Sequence, residues 1–122
     1  MRILVADDDP KMLAAVCEIL VESGFEVSEA TDGVAALRAF RSQPTDLVLG
    51  DVFMPNKDGL ETISELKSQS PSVKIIVMSG GGSVWTSGLL ETAKQLGASA
   101  VLHKPFTASE LRRALRQALG GV

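Results

Sequence analysis

The sequence predicts an α/β fold, a doubly wound five-stranded parallel sheet flanked by five helices. Three observations carry that expectation. Five short apolar runs alternate with five stretches of helical periodicity, as in strands joined by crossover helices. The runs are continuously apolar rather than alternating, which suits strands covered on both faces. The connections are short, with no long linker and no repeat beyond the alternation, so the 122 residues read as one domain, residues 1–122, with no output module in the chain.

Taken in order, Arg2–Ala6 (RILVA) is the first strand, ending in Asp7-Asp8-Asp9-Pro10. Asp9 suits an N-cap and Pro10 the first helical position. Met12, Val16, Ile19 and Leu20 recur at helical spacing until Gly24 closes the helix. Residues 25–30 form the second strand, and Thr31-Asp32-Gly33 leads into a helix through Ala36, Leu37 and Phe40. The third strand covers 46–50 and delivers Asp51 to its end. Pro55, Asn56, Asp58 and Gly59 then supply turn chemistry. Asp58 and Glu61 have the spacing of a capping box for a helix through Leu60, Ile63 and Leu66.

Pro71 breaks that helix, and residues 73–78 (VKIIVM) form the fourth strand, ending at Ser79. Gly80-Gly81-Gly82 reads as a flexible connection to a helix lying within 84–96 and closed by Gly97. The fifth strand, 99–102, ends in His103-Lys104-Pro105. Thr107 and Glu110 make a second capping box. The last helix buries Leu111, Ala114, Leu115 and Ala118 and exposes Arg112, Arg113 and Arg116 as a solvated face.

Charge is unevenly distributed. Residues 1–65 carry 5 basic and 13 acidic side chains, whereas residues 66–122 carry 7 and 2. All seven Asp precede position 59. This argues for local acidic sites and against a direct nucleic-acid surface. The single Cys17 has no internal disulfide partner and reads as a core thiol in a reducing compartment. No leader pattern or membrane-length apolar run is present, so a cytoplasmic, non-membrane protein is expected.

The chemistry-bearing residues gather at strand ends: Asp7 and Asp8, then Asp51, Ser79 and Lys104. In a doubly wound sheet, sites form outside the carboxyl ends of the strands. There, three carboxylates would meet one hydroxyl and one ammonium. An acidic residue at the end of a buried strand is costly unless an ion or a reaction accompanies it. Two carboxylates about 4 Å apart repel by roughly 4 kcal/mol at an effective dielectric of 20. Lys104 supplies one positive charge, and a hard dication held through oxygen, Mg²⁺, would supply more.

These residues stand in the order and on the elements of a known pattern. The Asp7-Asp8 pair, the D-x-x-M-P-x-x-D-G run from Asp51 to Gly59, Ser79, and Lys104-Pro105-Phe106 together resemble a response-regulator receiver domain, the phospho-acceptor module of two-component signalling. The resemblance implies a flavodoxin-like sheet of strand order 2-1-3-4-5. It implies Asp51 as the phosphorylated carboxylate, with a histidine kinase or histidine phosphotransfer protein as donor. Asp8 and Asp51 would bind Mg²⁺ directly and Asp7 largely through water, with the Phe53 backbone carbonyl completing the protein ligands. Lys104 and Ser79 would contact phosphoryl oxygens, and the Lys104–Pro105 bond is often cis in that family. The protein would be a switch whose only catalysis is its own phosphorylation and autodephosphorylation. A downstream protein would bind the face made by the fourth helix, fifth strand and fifth helix.

The sequence departs from the family pattern at three places. Val101 occupies the position of the usual aromatic switch residue, the connection after Ser79 is glycine-rich and longer than usual, and Gly50 replaces a bulkier neighbour of Asp51. The switch is therefore expected in Ser79, Gly80 and the start of the fourth helix, with Trp85 as its marker, rather than in Val101. Trp85 equally suits a partner anchor or a cover for the first turn of that helix. His103 is expected to face away from Lys104 as an ordinary residue at the sheet margin. Gly80-Gly81-Gly82 is not followed by G-K-[ST], so no phosphate-binding loop is inferred.

Two other functions compete. A haloacid-dehalogenase-like phosphatase would use Asp7 as nucleophile and Asp9 as acid/base, but it needs a late acidic pair, and no Asp follows position 58. A degenerate receiver would serve only as an interaction module, against which the complete acidic set and Lys104 argue.

Overall fold

The computed structural model describes residues 1–51, 59–80 and 87–120. Its elements are β1 (Arg2–Ala6), α1 (Pro10–Glu22), β2 (Glu26–Ala30), α2 (Gly33–Ser42), β3 (Leu47–Asp51), α3 (Gly59–Gln69), β4 (Lys74–Gly80), α4 (Ser87–Gln95), β5 (Ala100–Lys104) and α5 (Ala108–Ala118). The strands form one parallel sheet in the order β2-β1-β3-β4-β5. The doubly wound fold expected from the alternation of elements is the one observed.

Side-chain alternation divides the interior into two cores. Ile3, Val5, Leu47, Leu49, Ile76, Met78 and Leu102 pack beneath α1 and α5. Leu4, Ala6, Val48, Ile75 and Val77 pack beneath α2 and α3, with Ala93 of α4. The stripe on α1 is Leu13, Val16 and Leu20, while Met12 and Ile19 pack only partly against it. On α5 the buried residues are Leu111, Ala114, Leu115 and Ala118, and Arg112, Arg113 and Arg116 are exposed, as expected.

Caps position these helices. The Asp9 carboxylate accepts from the Lys11 amide with Pro10 in the first turn, and Asp32 accepts from the Ala35 amide at 2.7 Å. Thr107 and Glu110 form the capping box of α5 with bonds of 3.0 and 3.1 Å. Asp58, the proposed cap of α3, lies outside the described residues.

Gly97 has φ +117, and a Cβ there would stand 2.8 Å from Lys67 Cε. Only glycine meets both conditions. Lys67 itself donates to the Val73 carbonyl at 2.6 Å, tying the end of α3 to the start of β4. Its pKa is lowered by burial and by the neighbouring Lys74.

The strand limits move in an informative way. Phe25 stays outside β2 because its amide bonds to the Leu20 carbonyl at the exit of α1. Asp46 precedes β3 and accepts from the Arg2 amide, while Asp51 belongs to the strand and pairs with Met78. β4 and β5 run two residues further than their apolar runs, since Ser79 pairs with His103 and Gly80 with Lys104. Gly80 is therefore a strand residue and not the first of a flexible connection. Backbone pairing does not require apolar side chains, so the sheet outlasts the hydrophobic pattern. Among the described residues no helix is long and apolar enough to cross a membrane.

Candidate phosphoryl-acceptor site

Three parallel strands deliver the central residues to one edge. Asp7 follows β1, Asp51 ends β3 and Lys104 ends β5. Asp7 stands two residues beyond Val5, Asp51 two beyond Leu49 and Lys104 two beyond Leu102, so all three leave on the α1–α5 side of the sheet. Lys104 Nζ donates to Asp7 Oδ2 at 2.7 Å and to Asp51 Oδ2 at 2.5 Å. Asp7 has no exposed surface and Asp51 is 5% exposed.

Burial alone would depress the Lys104 pKa, but the hydrogen bonds and charges of Asp51 and Asp7 outweigh it. Its pKa is raised, and the side chain is a fixed cation at neutral pH.

The exposed Asp8 completes an acidic group. Oxygens of Asp7, Asp8 and Asp51 all lie within 4.8 Å of one another. Three carboxyl groups face a single ammonium, so acidic groups outnumber the cation at this point. The donors are hard oxygens, and one of the three carboxylates is open to water. That set fits Mg²⁺, which takes one or two carboxylates and keeps part of its hydration. Phe53, the remaining expected ligand, lies outside the described residues.

Asp9 does not join this group. Its Oδ1 accepts from the Lys11 amide as the cap of α1, and its own amide donates to Asp7 Oδ1 at 2.9 Å. The residue required as acid/base by the phosphatase reading thus serves as a helix cap.

Ser79 takes a different position from the carboxylates. It follows Val77 by two residues and leaves β4 on the side of α2, α3 and α4. It has no exposed surface, and its Oγ lies 2.9 Å from His103 Nδ1. His103 does face away from Lys104, as alternation requires, but it is more than a marginal surface residue. The signal for it was the equal offset of Ser79 from Met78 and of His103 from Leu102, which becomes informative once the β4–β5 register is known. Val101 is half-buried against the α2–α3–α4 core, and Trp85 lies outside the described residues.

Comparison with known proteins agrees with this geometry. Residues 3–116 match the family model described as "Response regulator receiver domain". The chemotaxis protein CheY of Listeria monocytogenes is 33% identical over 97% of this chain and 98% of its own length. The transcriptional regulatory protein PdtaR of Mycobacterium tuberculosis is 36% identical over 97% of this chain and 56% of its own. The crystal structure of a response regulator receiver domain protein from Clostridium thermocellum superposes with a TM-score of 0.87 at 31% identity, covering 97% of this chain and 93% of that one.

Proposed function

The chain belongs to the response regulator receiver domain family, and on that premise we propose that Asp51 is the carboxylate it offers for phosphorylation. Members of the family are phosphorylation-operated switches of two-component signalling and generally not catalytic enzymes. They receive the phosphoryl group from histidine kinases or phosphotransfer proteins. The observation that carries the assignment is the Lys104 ammonium held against both Asp51 and Asp7, with Asp8 beside them.

In the transfer, an Asp51 oxygen attacks the phosphorus of a phosphohistidine. A P–O bond forms, the bond from phosphorus to the donor's imidazole nitrogen breaks, and that nitrogen keeps the electron pair. Lys104 already contacts Asp51, so it can take up a phosphoryl oxygen with little movement of its own. Its charge is in place before the reaction, which is how preorganised groups lower a barrier. Asp7, as a second acceptor of the same ammonium, helps to orient Lys104.

When bound, Mg²⁺ would neutralise the charge that the carboxylates and the phosphoryl group bring together. Asp8 and Asp51 would hold it directly, Asp7 largely through water, with the Phe53 carbonyl as the last protein ligand. In autodephosphorylation a water oxygen attacks the phosphorus, the P–O bond to Asp51 breaks with its electron pair returning to the carboxylate, and inorganic phosphate leaves.

Ser79 would follow the phosphoryl group and draw Gly80 and the connection carrying Trp85 with it. Val101 is β-branched and stiff at χ1, so it is poorly suited to report the change. A downstream protein would read the face of α4, β5 and α5, and a cytoplasmic location accords with this role.

The test is incubation with acetyl phosphate and Mg²⁺. One phosphoryl group, labile to hydroxylamine and absent from Asp51→Asn but retained in Asp7→Asn to some extent, is expected. A label that survives in Asp51→Asn refutes the assignment.

A further inference from the structure

Ser79 and His103 face one another across β4 and β5 as register partners, and Ser79 Oγ stands 2.9 Å from His103 Nδ1. Ser79 is wholly buried, whereas His103 is exposed. A buried hydroxyl without a partner is costly, and His103 provides one. We propose that His103 is a positioning residue for phosphoryl acceptance, holding the Ser79 hydroxyl on the α2–α3–α4 side of the sheet until a phosphoryl group on Asp51 competes for it. The inference rests on Asp51 as the phospho-acceptor and adds the restraint against which the switch operates.

The chemistry is a competition for one proton. A serine hydroxyl donates a single hydrogen bond. With the ring proton on Nε2, His103 Nδ1 accepts from Ser79, and the hydroxyl cannot donate to phosphorus-bound oxygen at the same time. A phosphoryl oxygen is a charged acceptor and makes the stronger bond, so phosphorylation draws the hydroxyl away. His103 sets how strongly the resting state resists. Asp7, Asp51 and Lys104 leave the sheet on the other side, so the restraint acts on Ser79 without occupying the acceptor carboxylate.

Beryllofluoride with Mg²⁺ serves as the probe, its affinity measured by calorimetry. His103→Ala frees the hydroxyl and should bind about fivefold more tightly than the wild type. His103→Asn, whose side-chain oxygen can take the place of Nδ1, should restore wild-type affinity. In a Ser79→Ala background, His103→Ala should have no further effect, because His103 acts through Ser79. The chain has one histidine, so its ring ¹⁵N shifts are unambiguous. They should show the Nε2–H tautomer in the free protein and a displaced Nδ1 resonance on binding. Unchanged or weaker binding by His103→Ala, an effect that persists without the Ser79 hydroxyl, or stationary ¹⁵N shifts would each overturn the inference. A wild type that binds no beryllofluoride refutes the Asp51 assignment and this inference with it. Binding indifferent to His103 refutes the inference alone.

Discussion

Asp51 Oδ2 and Lys104 Nζ stand 2.5 Å apart, although 53 residues separate them in the chain. The contact joins the ends of β3 and β5, which are not neighbours in the sheet, so Lys104 reaches past the end of β4. Bonded to Asp7 as well, Lys104 is the positive centre of the resting site.

Removing that centre should destabilise the metal-free protein. Lys104→Met preserves length and apolar packing but leaves Asp7 and Asp51 buried without their cation. A loss of about 3 kcal/mol is expected, at the low end for a broken buried pair because the Lys104 side chain keeps 14% exposure. Mg²⁺ should recover part of it by replacing positive charge. Urea unfolding with and without Mg²⁺ checks this, and full stability of the variant in the absence of the ion would contradict it.

Asp8 should behave oppositely, since it is the exposed member of the acidic group. Asp8→Asn should relieve repulsion and raise the metal-free melting temperature slightly. It should also weaken Mg²⁺ binding by roughly tenfold, on the scale of one lost charge–charge contact. The rise in stability that Mg²⁺ gives the wild type through linkage should shrink accordingly. Equal Mg²⁺ titrations for the two proteins would remove Asp8 from the site.

Gly50 offers a gain in stability next to the acceptor. Among the described residues a Cβ there would meet only the Ala6 Cβ, at 4.0 Å, which is ordinary contact. Gly50→Ala should therefore stabilise the fold by about 0.4–1 kcal/mol, mainly by restricting the unfolded chain. Phosphorylation by acetyl phosphate should persist. A lower unfolding midpoint in urea would show that β3 does not tolerate the methyl group.

Alkaline pH should weaken the protein through Cys17. Burial and, less strongly, Glu29 raise its thiol from 9.0 to about 11. Above pH 9 the unfolded thiol loses its proton while the folded one keeps it, so the unfolded state binds fewer protons and stability falls as pH rises. The contribution is complete below pH 9 and is lost as pH climbs through about 11. Cys17→Ala should flatten that part of the pH profile, and the wild-type thiol should react slowly with Ellman's reagent at pH 8. Rapid modification of the folded protein, or an unaltered profile in Cys17→Ala, would count against the shift.

Much of this is legible in the sequence. Apolar runs of strand length, Asp9, Asp32 and the Thr107–Glu110 pair placed most elements within a residue or two, because capping and periodicity are local. The grouping of Asp7, Asp8, Asp51 and Lys104 followed from topology, since a parallel sheet puts every strand's carboxyl end on one edge. The true ends of β4 and β5 were not legible, because Ser79, Gly80, His103 and Lys104 are held by pairing across strands rather than by apolar pattern.

The sequence by itself determined the fold class, the buried stripe of α5 and the acidic edge of the sheet, all consequences of local pattern and chain order. Tertiary structure alone decided that Lys104 bridges Asp7 and Asp51, and that Ser79 pairs with His103 on the opposite side. Both contacts depend on the order and register of strands joined through crossover helices. A shift of one residue in either strand would turn its side chains to the other face, and no local propensity encodes that choice.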